Sequence, residues 1–135
     1  MNLYFKQYYD LIKNLDKRIK KLEKTHKECL TCKKGCDDCC MNLTVFPVEF
    51  FAIKEKMKDD GFDFGKVKFD ENASCGFLQN SACQIYKYRP IICRTHGLPI
   101  LVLNDDLDFP EYQVSYCDKN FLAQKCTGIE FNDEN

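Results

Sequence analysis

The chain of 135 residues has no tryptophan, only two histidines, and no Ser/Gly/Pro-rich stretch that would divide it. One domain with a modest core is therefore expected, its interior drawn from eleven phenylalanines and seven tyrosines. No internal repeat or low-complexity segment is evident. The first twenty residues have no uninterrupted apolar core, because Lys6, Asp10, Lys13, Asp16, Lys17 and Arg18 interrupt them. That predicts neither a secretory leader nor a membrane span, and a cytoplasmic protein. A strong charge of either sign is also lacking: the net charge is −1, which predicts no polyanionic partner for the whole chain. The halves differ, since residues 1 to 34 carry ten basic and four acidic side chains and the remainder ten and seventeen.

What the chain has in excess is cysteine, ten in all. Five of them, Cys29, Cys32, Cys36, Cys39 and Cys40, fall within twelve residues. Free cysteine packs as a small apolar residue, but the neighbours here are Lys33, Lys34, Gly35, Asp37 and Asp38, which a core segment would not carry. Disulfide and metal chemistry compete for such a cluster. In a reducing compartment the thiols stay reduced, so metal ligation is the leading expectation and a disulfide framework the lesser one.

Zinc and iron both bind thiolate, and four thiolates close one structural zinc site or hold one iron–sulfur cluster. Eight sulfurs could supply two such sites, or one site with thiols to spare. If residues 36 to 40 were helical, Cys36, Cys39 and Cys40 would face one side; if extended, Cys39 and Cys40 would point apart and serve two centres, or one centre and the core. The spacing leaves both open. It matches neither the paired C-x2-C of a zinc ribbon nor the C-x2-C-x2-C run of bacterial ferredoxins, so the metal is open as well. Lys33, Lys34, Arg89 and Arg94 lie close enough in sequence to offset thiolate charge.

The ordered combination Cys32-x3-Cys36-x2-Cys39-Cys40, a helix with Glu49, Cys75-Gly-Phe-Leu, Cys83-Gln-Ile-Tyr86, Arg89-Pro90 and Cys93-Arg94 resembles the YkgJ-type cysteine-cluster family of zinc- or iron-chelating proteins, over residues 29 to 117. The resemblance implies a ligand set of Cys32, Cys36, Cys39, Cys40, Cys75, Cys83, Cys93 and Cys117, holding Zn²⁺ or an iron–sulfur cluster. Cys29 and Cys126 stand outside it, read as small buried residues ahead of auxiliary ligands. The family carries no established reaction. A similar module accompanies a flagellin lysine methylase, but no glycine-rich loop for S-adenosylmethionine is visible here, and 135 residues are too few for a methyltransferase domain beside the cluster.

His96 follows Cys93 by three residues, within reach of a metal, although a hydrogen-bonded structural role is the preferred reading. His26 reads as a cation at a helix C-terminus. A nucleophilic Cys93 with His96 as base would leave seven sulfurs of the set unexplained, and the turn-like Asp37-Asp38 and Asp105-Asp106 are read as backbone-capping residues rather than acid/base pairs. Whether the chain is an enzyme is left open.

The expected fold is α+β, a small single domain with N-terminal helices and short antiparallel strands around the cysteine cluster. Residues 1 to 28 form a basic amphipathic helix, 29 to 126 the cysteine domain, and 127 to 135 a tail. The first helix spans about Leu3 to Lys27, with Tyr4, Tyr8, Leu11, Leu15, Ile19 and Leu22 as its apolar face. Its basic face is read as solvated surface on a packed helix, with a protein or dimer partner as the sharper alternative. No aromatic–basic interleaving supports nucleic acid. A second helix runs from Pro47 to about Lys58 and stops at Asp60-Gly61. Lys66 to Phe69 is expected as a strand, Cys75 to Tyr86 as a hairpin turning at Gln79 to Ala82, and Arg89 to Arg94 as a short helix with Pro90 in its first turn. The amides of that helix are expected to favour a nearby thiolate. Strands at Ile100 to Leu103 and Tyr112 to Tyr116, a helix over Asp118 to Lys125 and a loose tail from Glu130 complete the expectation.

Overall fold

Helix α1 (Lys6–Thr25) begins after one 3-10 turn at Leu3–Phe5 and shows its basic side to solvent. The computed structural model describes residues 3–33, 35–105 and 109–127. No side chain of α1 is fully buried. Tyr8, Ile12, Leu15, Ile19 and Leu22 are half-buried, whereas Tyr4 and Leu11, expected on the same face, are exposed. The stripe is shifted rather than narrowed, since Phe5 and Tyr9 are half-buried as well, and polar contacts share the docking. The Tyr8 hydroxyl donates to Glu49 Oε1 (3.1 Å), the Tyr9 hydroxyl donates to the Ala52 carbonyl (3.0 Å), and Arg94 Nη1 bonds both oxygens of Asp16 (2.8 and 3.2 Å).

Helix α2 (Pro47–Asp59) starts with proline at its first position, where the missing N–H costs nothing. Asp60 caps its end and Gly61, at φ +73°, turns the chain away in the left-handed region. The helix buries Glu49, Ala52 and Met57. Met57 forms the hydrophobic core with Ile85 and Tyr88, and Phe62, Phe64, Phe77 and Cys83 pack around them.

The strand expected at Lys66 to Phe69 is absent. The Asp63 carboxylate accepts the Gly65 N–H (2.9 Å) and winds Phe64–Lys66 into a 3-10 turn. The backbone beyond is paired by a side chain instead: Gln84 accepts from the Lys68 N–H (2.9 Å) and donates to the Lys68 carbonyl (2.7 Å).

Strands β1 (Leu78–Gln79) and β2 (Ala82–Cys83) form the expected hairpin, with Asn80 and Ser81 at φ 50° and 58° giving the double left-handed turn that matches strand twist. A Cβ on Gly76 would lie 2.1 Å from the Phe69 ring, so glycine lets that ring close over the backbone there. Helix α3 spans Ile91–Thr95, with Pro90 as its cap rather than inside its first turn. Strands β3 (Ile100–Asn104) and β4 (Glu111–Ser115) pair antiparallel from Ile100↔Ser115 to Asn104↔Glu111. Two helices, a helical turn and two strand pairs make an α+β domain. No described helix is long and apolar enough to cross a membrane.

The helix expected over Asp118 to Lys125 is reduced to a 3-10 turn at Gln124–Cys126. Phe121, at φ +60°, gives its N–H to the Cys29 carbonyl (2.7 Å), which no helical residue at that position could do. The C-terminal segment thereby lies along residues 26 to 31, and Cys29 and Cys126 are joined by a disulfide with Cα atoms 5.7 Å apart. Cys126 is buried, as expected of a small residue, but neither cysteine is a free thiol or a ligand. The expected tail from Glu130 lies outside the described residues, as do Lys34 and Asp106.

Candidate metal centre

The eight cysteines of the expected ligand set are all free, and none is buried. They stand on five segments. Cys32 leads an irregular stretch; Cys36, Cys39 and Cys40 follow in two tight turns; Cys75 precedes β1 and Cys83 ends β2; Cys93 sits in α3; Cys117 follows β4. Residues 36 to 40 are not helical: the Cys40 N–H closes a turn onto the Asp37 carbonyl (2.8 Å). The arrangement with three sulfurs on one helix face is therefore not formed.

Gly97 is the hub of one neighbourhood. Its carbonyl accepts the Cys117 N–H (3.2 Å), and a Cβ placed on it would lie 3.5 Å from Cys117 Cβ and 3.6 Å from Cys32 Sγ. Asn120, almost fully buried, organises the same point: its Nδ2 donates to the Gly97 carbonyl (2.7 Å) and reaches Cys32 Sγ (3.9 Å), and its Oδ1 accepts the Thr31 N–H (2.8 Å). The Cys36 thiol donates to Asp38 Oδ2 (3.4 Å), and Asp38 is ion-paired to Lys119. Cys39 and Cys117 line a cavity of about 310 Å³ with His96, Leu98 and Tyr116. His96 Nδ1 is buried and accepts or donates no hydrogen bond in the described structure.

The second neighbourhood lies against the core. The Gly76 N–H donates to Asn42 Oδ1 (3.1 Å), tying the residue after Cys75 to the segment just past Cys40. The Leu78 N–H donates to the Cys75 carbonyl (2.9 Å), and Leu78 is paired with Cys83 across the hairpin. Arg89 stacks on the Tyr86 ring with its guanidinium 3.5 Å from the centroid, and its Nη1 donates to the Cys93 carbonyl (3.4 Å).

Partial loss of water contact pushes up the thiols of Cys40, Cys83 and Cys93, and also that of the more exposed Cys32, with Cys40 raised to about 12. Neighbouring thiols add to the rise, since each resists a second negative charge beside it. For Cys32 those neighbours are Cys117, Cys36 and Cys39; for Cys40 they are Cys39, Cys75, Cys83 and Cys93. The Asn120 amide works against the rise at Cys32, and the Arg89 cation works against it at Cys83 and Cys93. A raised Cys93 is the opposite of an activated nucleophile.

Arg89 thus meets its expected place beside sulfur. Arg94 does not: it braces α1 through Asp16 and bonds the carbonyls of Arg89 (2.7 Å) and Lys87 (3.1 Å). The α3 amides are not directed at a thiolate as expected either, because the Ile91 N–H is taken by Glu49 Oε1 (2.6 Å). Glu49 links α1, α2 and α3 from a buried position. Sequence reasoning missed Lys119, Asn120 and Gly97, which carry no local signal because their partners lie far along the chain.

An all-sulfur donor set in polar surroundings suits zinc or iron chemically. Among the described residues, no group of three or more His, Cys, Asp or Glu side chains is already drawn together to hold a metal ion. A small α+β domain with a cluster of free thiols is the class that fold and site define. Residues 28–118, more than half of the chain, match the CxxCxxCC family, described as "Putative zinc- or iron-chelating domain", and the chain belongs to that family. No curated protein and no solved structure matches it.

Proposed function

We propose that this protein binds zinc or an iron–sulfur cluster through Cys32, Cys36, Cys39, Cys40, Cys75, Cys83, Cys93 and Cys117, in the manner of a YkgJ-type cysteine-cluster protein of the cytoplasm. The observation that carries this reading is selective: the eight cysteines of this set, drawn from five segments, are all free thiols, while the two outside it are bonded to each other. Packing alone gives no reason for eight free thiols to share a small domain, where a second thiolate beside the first is resisted. Bound metal would remove that repulsion by neutralising thiolates, and binding would release protons because the ligands enter deprotonated. Arg89, Lys119 and the Asn120 amide would offset the negative charge left over. The side chains must rotate to converge on an ion.

Anaerobic purification followed by an absorbance spectrum, elemental analysis and acid-labile sulfide tests the reading. Bound zinc in colourless protein, or iron with sulfide in brown protein, is the expected pair of results and separates a structural zinc module from a cluster suited to electron transfer. Protein that takes up neither under reducing conditions overturns it.

A further inference from the structure

We propose that the eight thiols form two separate four-sulfur centres, Cys32, Cys36, Cys39 and Cys117 in one and Cys40, Cys75, Cys83 and Cys93 in the other, so that the Cys39–Cys40 peptide is the bridge between two metals. The inference rests on the metal-binding reading and sharpens it. Residues 36 to 40 form a turn closed by the Cys40 N–H on the Asp37 carbonyl, so no helix face presents Cys36, Cys39 and Cys40 together.

Each neighbour of the pair is held by a different part of the fold. On one side, Cys39 shares the wall of the 310 Å³ cavity with Cys117, and Cys117 and Cys32 meet across Gly97 under the Asn120 amide. Cys36 joins them through Asp38 and Lys119, the residue two places beyond Cys117. On the other side, Asn42 holds the chain just past Cys40 against Gly76, beside Cys75. The Cys75 carbonyl accepts the N–H of Leu78, which pairs with Cys83 across the hairpin, and Arg89 donates to the carbonyl of Cys93 in α3. Four sulfurs per group is also the number that closes a tetrahedral thiolate site. Each group has its own compensating donors: Asn120 and Lys119 for the first, Arg89 for the second.

The test loads the full chain anaerobically with zinc and counts metal per chain by native mass spectrometry and elemental analysis. The wild type is expected to hold about two zinc ions, one per four thiolates. Cys83→Ser and Cys117→Ser are each expected to lower the count to about one, and the double variant to near none, because each removes one of four ligands from a different site. Substituting ¹¹³Cd for zinc in the wild type gives a readout that needs no variant: two resonances in the all-sulfur range are expected. One resonance and one ion per chain, or a Cys83→Ser/Cys117→Ser double variant that holds as much metal as either single variant, overturns the two-centre division while leaving metal binding intact. No bound metal in the wild type overturns the metal-binding reading itself.

Discussion

The two sulfur neighbourhoods use the same donor atoms and are supported by different physics. Cys83 packs on the core of Met57, Ile85 and Tyr88, and its partners stand on a hairpin and a helix that the core positions. Cys32, Cys36, Cys39 and Cys117 stand on irregular backbone outside that core cluster, with buried Leu98 sharing a cavity wall with Cys39 and Cys117. Their scaffold is a buried amide, an Asp38–Lys119 ion pair and, just behind them, the Cys29–Cys126 disulfide. Apolar burial can hold a hairpin and a helical turn in place, whereas a chain without regular structure needs specific bonds at each point where its backbone groups would otherwise go unpaired. The difference shows that a cysteine cluster continuous in pattern can be discontinuous in mechanical support.

Removing metal is the strongest way to break the comparison. Structural thiolate sites contribute about 10–16 kcal/mol to folding in small metal-dependent domains, a large share for a domain whose buried core cluster is Met57, Ile85 and Tyr88. A chelated sample is therefore expected to lose its cooperative melting transition, followed by circular dichroism. Unchanged spectra and melting temperature after complete metal removal would sink the idea that metal holds the fold.

Next comes the disulfide. It joins residues 97 apart in sequence, and closing a loop of that length stabilises by about 4–5 kcal/mol in the chain-entropy picture, with about 2–5 kcal/mol typical when a native bond is removed. Cys126→Ser is expected to lower the melting temperature under non-reducing conditions. Its effect on hydrogen exchange should be concentrated at residues 26 to 32 and 117 to 126, and small at the β1–β2 hairpin. Equal loss of protection in both regions would show that they are one unit.

Asn120→Ala leaves the Thr31 N–H without its partner and the Gly97 carbonyl with only the Cys117 N–H, a loss of about 1 kcal/mol. It is expected to loosen metal at the Cys32–Cys117 neighbourhood with little change at Cys83, which competition with a chromophoric chelator would resolve. Leu at the same position, filling the volume without the hydrogen bonds, should behave alike if bonding rather than packing is at work.

The smallest effect is electrostatic and lies on the core side. Lys56 and Lys87 flank Asp60 at 2.5 and 2.6 Å and hold its carboxyl down to about 2. Its folded pKa lies below the unfolded value of about 3.9. The contribution of this group is therefore fully present above that value and is lost as pH falls towards 2. Asp60→Asn should flatten stability against pH only in that acid window, measured by thermal melts, and leave it unaltered near neutrality apart from a constant offset.

Much of this architecture was legible without coordinates. Proline at the head of α2 and Asp60-Gly61 at its end mark a helix by stereochemistry that needs no partner, and the Asn80-Ser81 turn lies where the hairpin had to reverse. The strand and the helix that did not form failed for a common reason. Asp63 captured a local amide and Cys29 a distant one, and either bond outweighs weak intrinsic propensity. Arg94 was placed beside sulfur by proximity in sequence, yet Asp16 on α1 was the better-matched partner for a guanidinium.

The sequence by itself determined the chemistry: eight thiols in one ordered pattern, on a chain with ample aromatic core and no strong charge of either sign. Residue identity and short spacing suffice for that, because donor type and turn geometry are local properties. Only the tertiary structure decided which sulfurs are neighbours, that Cys29 and Cys126 leave the thiol pool by bonding each other, and that Asn120, Gly97 and Lys119 stand among the thiols. Those outcomes depend on bringing together segments some ninety residues apart, as Thr31 and Asn120 are at a separation of 89. No periodicity encodes such a meeting, since it is fixed by where the buried side chains and backbone hydrogen bonds of the whole chain can all be satisfied at once.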